Sequence, residues 1–315
     1  GEGLPTMLSS QVFGYFSAAA ACGNLLDLTF EEMQSAFGLA LMHAAGTEEM
    51  VVHASDSFGK CLYAGLSNQG GVQSALMASH GVLARGEPLT GAAGLFEAYY
   101  NGEYDHEMLV SDLGSHFVSA DRCIKAMPGT LVSHAFAEAS LKLIEEHKIQ
   151  VDQIQRVRLH VGPWGKVMCE PANMRRQPSS ASAAMNSIPF IVAKAIVNGE
   201  VALGDFQYAG RSQPSALAMA DRIDHLVDPA LAAPDGLEPG ILDFILVDGR
   251  TIHQRIDVPK GHPRRPLSAN DVIHKFRANA QYTERPRPDE EIESIVDRIM
   301  NLDALDDIRL LFAAI

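Results

Sequence analysis

At 315 residues, with 47% apolar and 20% charged content, the chain can bury a sizeable core, and its length suggests about two domains. A formal charge of -14, without any Lys/Arg-rich run, argues against nucleic acid as a partner. No apolar run reaches the roughly 18 residues of a membrane span, and the start lacks the plan of a signal peptide, so a cytoplasmic protein without membrane association is expected.

In chain order, residues 12–100 are rich in alanine and carry apolar side chains at helical spacing, which predicts packed helices. Thr29 with Glu32 three residues on is a capping-box signature, followed by Met33, Ala36, Phe37, Ala40 and Leu41 along one face. A second helix, rich in Ala and Gly, is expected over about residues 65–84, where small side chains allow close helix approach. The texture changes near Val118. After Pro128-Gly129 a helix is expected over about 133–147, then Val157, Leu159 and Val161 alternate with polar residues as in a half-buried strand. Residues 188–197 predict a further helix and 229–239 a loop. The segments 243–247 and 252–258 flank Asp248-Gly249, a dipeptide suited to the positive backbone angles of a tight hairpin turn. Past Pro266 the helical pattern returns, with Ser268 and Asp271 as a capping box and Ile292, Ile295, Val296 and Ile299 on one stripe. The expected layout is therefore mainly α: a helical domain over 1–117 and 267–315, interrupted by a smaller α/β domain over 118–266. A cleft between them is the default ligand site.

The common dinucleotide, P-loop, serine-hydrolase and zincin motifs do not occur. Cys22, Cys61, Cys123 and Cys169 are scattered without a CxxC pair, and the histidines show no metal spacing, so buried thiols and no metal are expected. Three segments carry candidate chemistry. Gly59-Lys60-Cys61-Leu62-Tyr63-Ala64-Gly65 sets a lysine and a phenol just before the small-residue helix. Lys60 reads either as an exposed lysine at a helix start or as a carboxylate-binding cation. Arg122, Lys125, Thr130, Ser133 and His134 surround a Pro-Gly turn at the head of a helix; they form an anion pocket if they face one cleft, and otherwise a cap and a local hydrogen bond. His43 closes a helix, either as a dipole partner or as a base.

Taken in order, these segments resemble the MmgE/PrpD family. Gly3-Leu4-Pro5-Thr6 with Phe13-Gly14 and the Ala18–Ala21 run is similar to the family's Gly-aromatic-His stretch and Ala-rich helix. Residues 60–65 resemble its K-x-L-H-x-G segment, and 125–134 its K-x-Y-P segment ending in Thr/Ser-His. Ser187-Ile188-Pro189-Phe190, Gly199, Gly261-His262-Pro263, Pro266-Leu267 and Lys275-Phe276 fit later patterns. The resemblance implies a homodimer with a large helical domain and an α/β lid, and a site without metal or cofactor. In such a site lysines hold carboxylates and histidines move protons. It further implies a lyase, dehydrating a small di- or tricarboxylate in the manner of a 2-methylcitrate dehydratase. An isomerase or epimerase of an amino- or hydroxy-dicarboxylate, and a binding homologue without catalysis, are the alternatives. On this reading Lys60, Lys125, Arg122, Ser133 and Thr130 bind substrate, and His134, Tyr63 and His43 are the catalytic candidates. Three family histidine positions are occupied by Pro5, Tyr63 and Thr130. Family members also extend upstream in a segment carrying an active-site Asp and His, and the start at Gly1, without methionine, suggests that such a segment has been removed.

Overall fold

The computed structural model describes residues 7–47, 59–233 and 237–312, with the side chains of 59–61 and 312 excepted. It is mainly helical with one small sheet, and it divides into two compact units, Gly1–His116 and Phe117–Ile315.

In the first unit α1 (Ser9–Leu25), α2 (Phe30–His43) and α3 (Gly59–Ser79) pack on one another, and a short α4 (Leu95–Tyr100) closes the core of Val12, Phe16, Ala19, Ala40 and Leu95. The capping box forms as its spacing predicts: the Thr29 hydroxyl accepts from Glu32 N, and the Glu32 carboxylate accepts from Thr29 N at 2.8 Å. Small residues let α1 and α3 approach closely, since a Cβ at Gly70 would meet the Tyr15 ring at 2.7 Å. α3 differs from the expected 65–84. It starts at Gly59, so Lys60 and Tyr63 lie inside its first turns rather than before them. It ends at Ser79 because Gly81 takes a left-handed φ of +85°, with Gly81 N donating to Ala78 O and Val82 N to Met77 O. Residues 80–94 are turns, not helix.

The second unit has a mixed sheet of β1 (Ile154–Val161), β2 (Ile223–Val227), β3 (Gly240–Leu246) and β4 (Thr251–Ile256), in the order β2-β1-β3-β4. β1 is parallel to β2 and antiparallel to β3, which pairs antiparallel with β4. As the alternation predicts, Val157, Leu159 and Val161 point into the core. There they meet α5 (Leu131–His147) through Ala135, Phe136, Ala139 and Leu143, and α7 (Ile188–Asn198) through Ile188, Val192 and Ile196. α6 (Pro163–Cys169) lies between β1 and α7 in the chain, and α8 (Pro214–Ala220) follows α7. The hairpin between β3 and β4 forms, but with a different turn. Only Gly249, at φ +87°, is left-handed, and Asp248 instead accepts from Arg250 N at 3.0 Å. Leu246 N donates to Arg250 O at 2.8 Å, so three residues form the loop.

α9 (Ala269–Ala280) begins at the expected Ser268–Asp271 box, and α10 (Asp289–Met300) buries Ile292, Ile295 and Val296. Ile299, expected on the same stripe, is exposed. Cys169 is buried, whereas Cys22 and Cys123 are only half-buried. Lys194 of α7 is entirely inside: it donates to Gln213 Oε1 at 2.5 Å and lies 3.1 Å from Asp205 Oδ1, so its charge is paired.

A close seat in this unit is at Gly240, where β3 meets the first turns of α5. A Cβ there would sit on the backbone of Ala135 and Phe136. Backbone cannot yield as a side chain does, so Gly240→Ala is expected to destabilise the unit by about 2 kcal/mol or more. Urea unfolding followed by the fluorescence of Trp164, the single tryptophan, measures it, and an unchanged midpoint would refute the close seat.

Candidate functional site

The second unit gathers most of the residues expected from residues 122–134. The segment before α5 is anchored through its main chain. Ile124 N donates to Gly261 O at 2.8 Å, Thr130 N donates to Met185 O at 2.8 Å, and Lys275 Nζ of α9 donates to Lys125 O at 2.6 Å. Gly261, at φ +98°, passes so close to the Ile124 carbonyl that a Cβ would overlap it. Lys125 folds back on the same segment, its ammonium donating to Gly129 O at 2.8 Å. Gly129 has φ +114°, which a residue with a side chain rarely adopts.

α5 opens from this turn with its positive end uncompensated. No acidic residue stands in the first turn, and the N-cap Thr130 makes no side-chain capping bond. Helix starts in this state favour an anion. Ser133 is buried, and its hydroxyl donates back to Thr130 O at 2.6 Å; the local alternative therefore describes Ser133. Arg122 stands exposed after the turn 118–121.

His134 is different. It is only 1% exposed, and neither ring nitrogen has a hydrogen-bond partner among the described residues. Buried polar groups are nearly always paired, so an imidazole with two open positions is an exception that calls for a cause. Burial first, then the charges of Lys125 and Lys275, push its pKa down to about 4, with Glu138 opposing. Glu138, one helical turn on, is itself engaged: it accepts from Lys260 N at 3.1 Å and pairs with Arg265. The site thus holds a neutral imidazole capable of donating at one nitrogen and accepting at the other, beside two ammonium groups.

Of the remaining candidates, His43 is the last residue of α2, exposed, with its ring stacked on Tyr15 at 6.4 Å, an arrangement that fits the dipole-partner reading. Tyr63 is half-buried in α3. The side chain of Lys60 and all of Pro5 lie outside the described residues. Sequence reasoning did not assign roles to Lys275 and Glu138. The spacing of His134 and Glu138, four apart on one helix, is the signal that could have found the second.

Two other polar features do not resemble an anion site. A cavity of about 600 Å³ on α5 is lined by Glu138, Glu145 and Glu146 against Lys142 and Lys148, a balance that repels polyanions. On the outer face of the sheet Asp243 accepts from His160 at 2.8 Å and from His253 at 2.7 Å. Burial pushes this carboxyl up, but the two imidazole bonds outweigh it and hold Asp243 below the usual range. Among the described residues no group of three or more His, Cys, Asp or Glu is arranged to hold a metal ion. No helix among them is long and apolar enough to cross a membrane.

The His134 pKa fixes a sign. With a folded value near 4 and an ordinary value of 6.5, the unfolded chain takes up the proton first as pH falls. The stability that rests on His134 is therefore complete above about pH 6.5 and declines between 6.5 and 4, by roughly 3 kcal/mol at most. His134→Phe removes this titration and is expected to lose less stability over that window. Urea midpoints at pH 7, 6, 5 and 4.5 measure the difference, and parallel losses in both proteins would contradict it.

Comparison with known proteins gives concordant matches. The MmgE/PrpD N-terminal domain matches residues 3–107 and the MmgE/PrpD C-terminal domain residues 127–301. The chain is 25% identical to cis-aconitate decarboxylase of Homo sapiens over 307 residues, covering 95% of this chain and 61% of that protein. It is 27% identical to the Mus musculus decarboxylase over 311 residues, covering 95% and 60%. With cis-aconitate decarboxylase of Aspergillus terreus it shares 25% over 316 residues, covering 94% and 62%. The chain therefore spans about three fifths of the length of these relatives. With two family domains matched in order over most of its length, the chain belongs to the MmgE/PrpD family.

Proposed function

We propose that the chain is part of a lyase acting on a small di- or tricarboxylate, with Lys125 binding a substrate carboxylate and His134 moving a proton. The observation that carries this reading is the buried His134, without a hydrogen-bond partner among the described residues, beside Lys125 at the start of α5, where Thr130 makes no side-chain capping bond. Elimination next to a carboxylate leaves an electron pair that becomes enolate-like. Fixed cations stabilise it, and a neutral imidazole can take or return the proton. Burial and, after it, the two ammonium charges keep His134 neutral; a bound carboxylate offsets the ammonium part, so its basicity rises when substrate arrives.

Lys60 is proposed as a further carboxylate-binding cation and Arg122 as an outer one, with Thr130 contributing its unused hydroxyl; Tyr63 and His43 remain secondary candidates for the proton. Ser133 shapes the turn, because its proton is committed to Thr130 O. Two bond-breaking outcomes fit this chemistry. Loss of water is the dehydratase reading that arises from the sequence resemblance. Loss of carbon dioxide is favoured by the names of the relatives, all three of the above being cis-aconitate decarboxylases. The family resemblance also carries a metal-free site, a lid formed by residues 118–266 and a homodimer, and a cytoplasmic location is proposed from the sequence pattern. The homodimer is supported by the exposed Leu62, Leu66 and Leu76 along α3.

Binding comes before catalysis in the test. Calorimetry with citrate is expected to show Lys125→Ala at least about tenfold weaker than wild type, and the Lys60→Ala, Lys125→Ala double variant weaker still. With cis-aconitate, release of carbon dioxide identifies the decarboxylase reading and formation of a hydrated acid the reverse of dehydration. His134→Gln is expected to bind citrate within a few-fold of wild type but to lose turnover. Equal citrate affinity in the wild type and a folded double variant would refute the proposal.

A further inference from the structure

We propose that Lys275 is a positioning residue of the Lys125–His134 site, its ammonium fixing the Lys125 carbonyl and thereby the direction from which Lys125 meets an anion. The inference rests on the reading of Lys125 as a carboxylate-binding cation, and it adds a residue to which no role is otherwise attached.

The geometry is specific. Lys275 stands on α9, 150 residues further along the chain than the carbonyl it reaches, and the bond is short at 2.6 Å. α9 is itself held at its start. Asp271, one turn before Lys275, accepts from Lys260 Nζ at 2.6 Å and closes the Ser268 capping box. Lys260 in turn donates its main-chain N–H to Glu138 on α5. Besides these ties to Glu138, two run from the chain after β4 to the loop before α5: one at Gly261 to Ile124, the other at Lys275 to Lys125. Between them the latter two fix consecutive residues of the loop that carries the Lys125 side chain.

An apolar helix residue at 275 would leave the Lys125 peptide with one tie fewer. The lysine also does something a neutral donor would not: its charge lies close enough to His134 to act on the imidazole, together with Lys125 and against Glu138. Glu138 is balanced by Arg265, so the field at His134 is set chiefly by the two lysines. A merely structural tie would leave that field unaltered when it is replaced by another structural tie. A positioning cation would not.

The test compares Lys275→Met, Lys275→Gln and Lys275→Arg with wild type and Lys125→Ala. Citrate affinity is measured by calorimetry, and the His134 ring is titrated by NMR. Lys275→Met is expected to weaken citrate binding at least about fivefold and to move the His134 midpoint upward, with Lys275→Arg within about twofold of wild type in affinity. Should Lys275→Met fail to fold, Lys275→Gln keeps a donor without the charge and must still move the midpoint upward. Wild-type affinity and an unmoved midpoint in the neutral variants, or a lowered melting temperature as their only change, would overturn the assignment. If Lys125→Ala loses citrate while the Lys275 variants do not, only this inference falls. If Lys125→Ala binds as wild type, the reading beneath it falls as well.

Discussion

The contact between Gly240 and the first turns of α5 governs the second unit. Where β3 touches the backbone of Ala135 and Phe136 without an intervening Cβ, the helix can neither slide nor rotate without a clash. Ala135 and Phe136 directly follow His134 and Ser133, so the seat that aligns the core also sets the direction of the candidate site. Apolar burial by α5, α7 and β1 supplies the energy; the glycine supplies the register.

On that platform the charges around His134 do not cancel, Lys125 and Lys275 acting on it against Glu138. A buried imidazole would ordinarily find a carbonyl or a carboxylate for at least one nitrogen. Here Glu138 is on the same face but is occupied by Arg265 and the Lys260 amide. Two ammonium groups and a helix start leave His134 in positive surroundings, with both nitrogens open among the described residues. Contrast Lys194, equally buried, which is matched at once by Asp205 and Gln213. The same unit thus solves one buried polar residue internally and leaves the other unsolved, and the unsolved one adjoins the family's lysine segment.

Much of the local structure was legible because it rests on short-range rules. The two capping boxes, the alternation in β1 and the apolar stretch of α7 were each decided within a few residues. The limits of α3 were misplaced because Ala and Gly carry little periodic signal; the stop was written in Gly81, whose left-handed backbone ended the helix. The hairpin was found but not its turn, since Asp248 satisfied itself by bonding Arg250 N instead of adopting positive φ. For the site, the residues on one continuous stretch, Lys125 to His134, could be read together. Lys275 could not be assigned, because its partner is a main-chain carbonyl 150 residues away, and a carbonyl has no letter in the sequence. Ser133 was legible only as a pair of alternatives, and its hydroxyl chose the local one.

The loop in which Lys125 bonds Gly129 O has a consequence for selectivity. Its ammonium already has an acceptor of its own chain, so any incoming group enters an exchange rather than filling a void. A neutral ester or amide oxygen offers little that the Gly129 carbonyl does not. An ionised carboxylate carries a full charge of opposite sign, and its attraction to the ammonium exceeds that of the carbonyl dipole it displaces. On the proposed role of Lys125, the turn acts as a threshold: it discounts every ligand by the same internal competitor, and what survives the discount is the difference between an acid and its neutral derivatives.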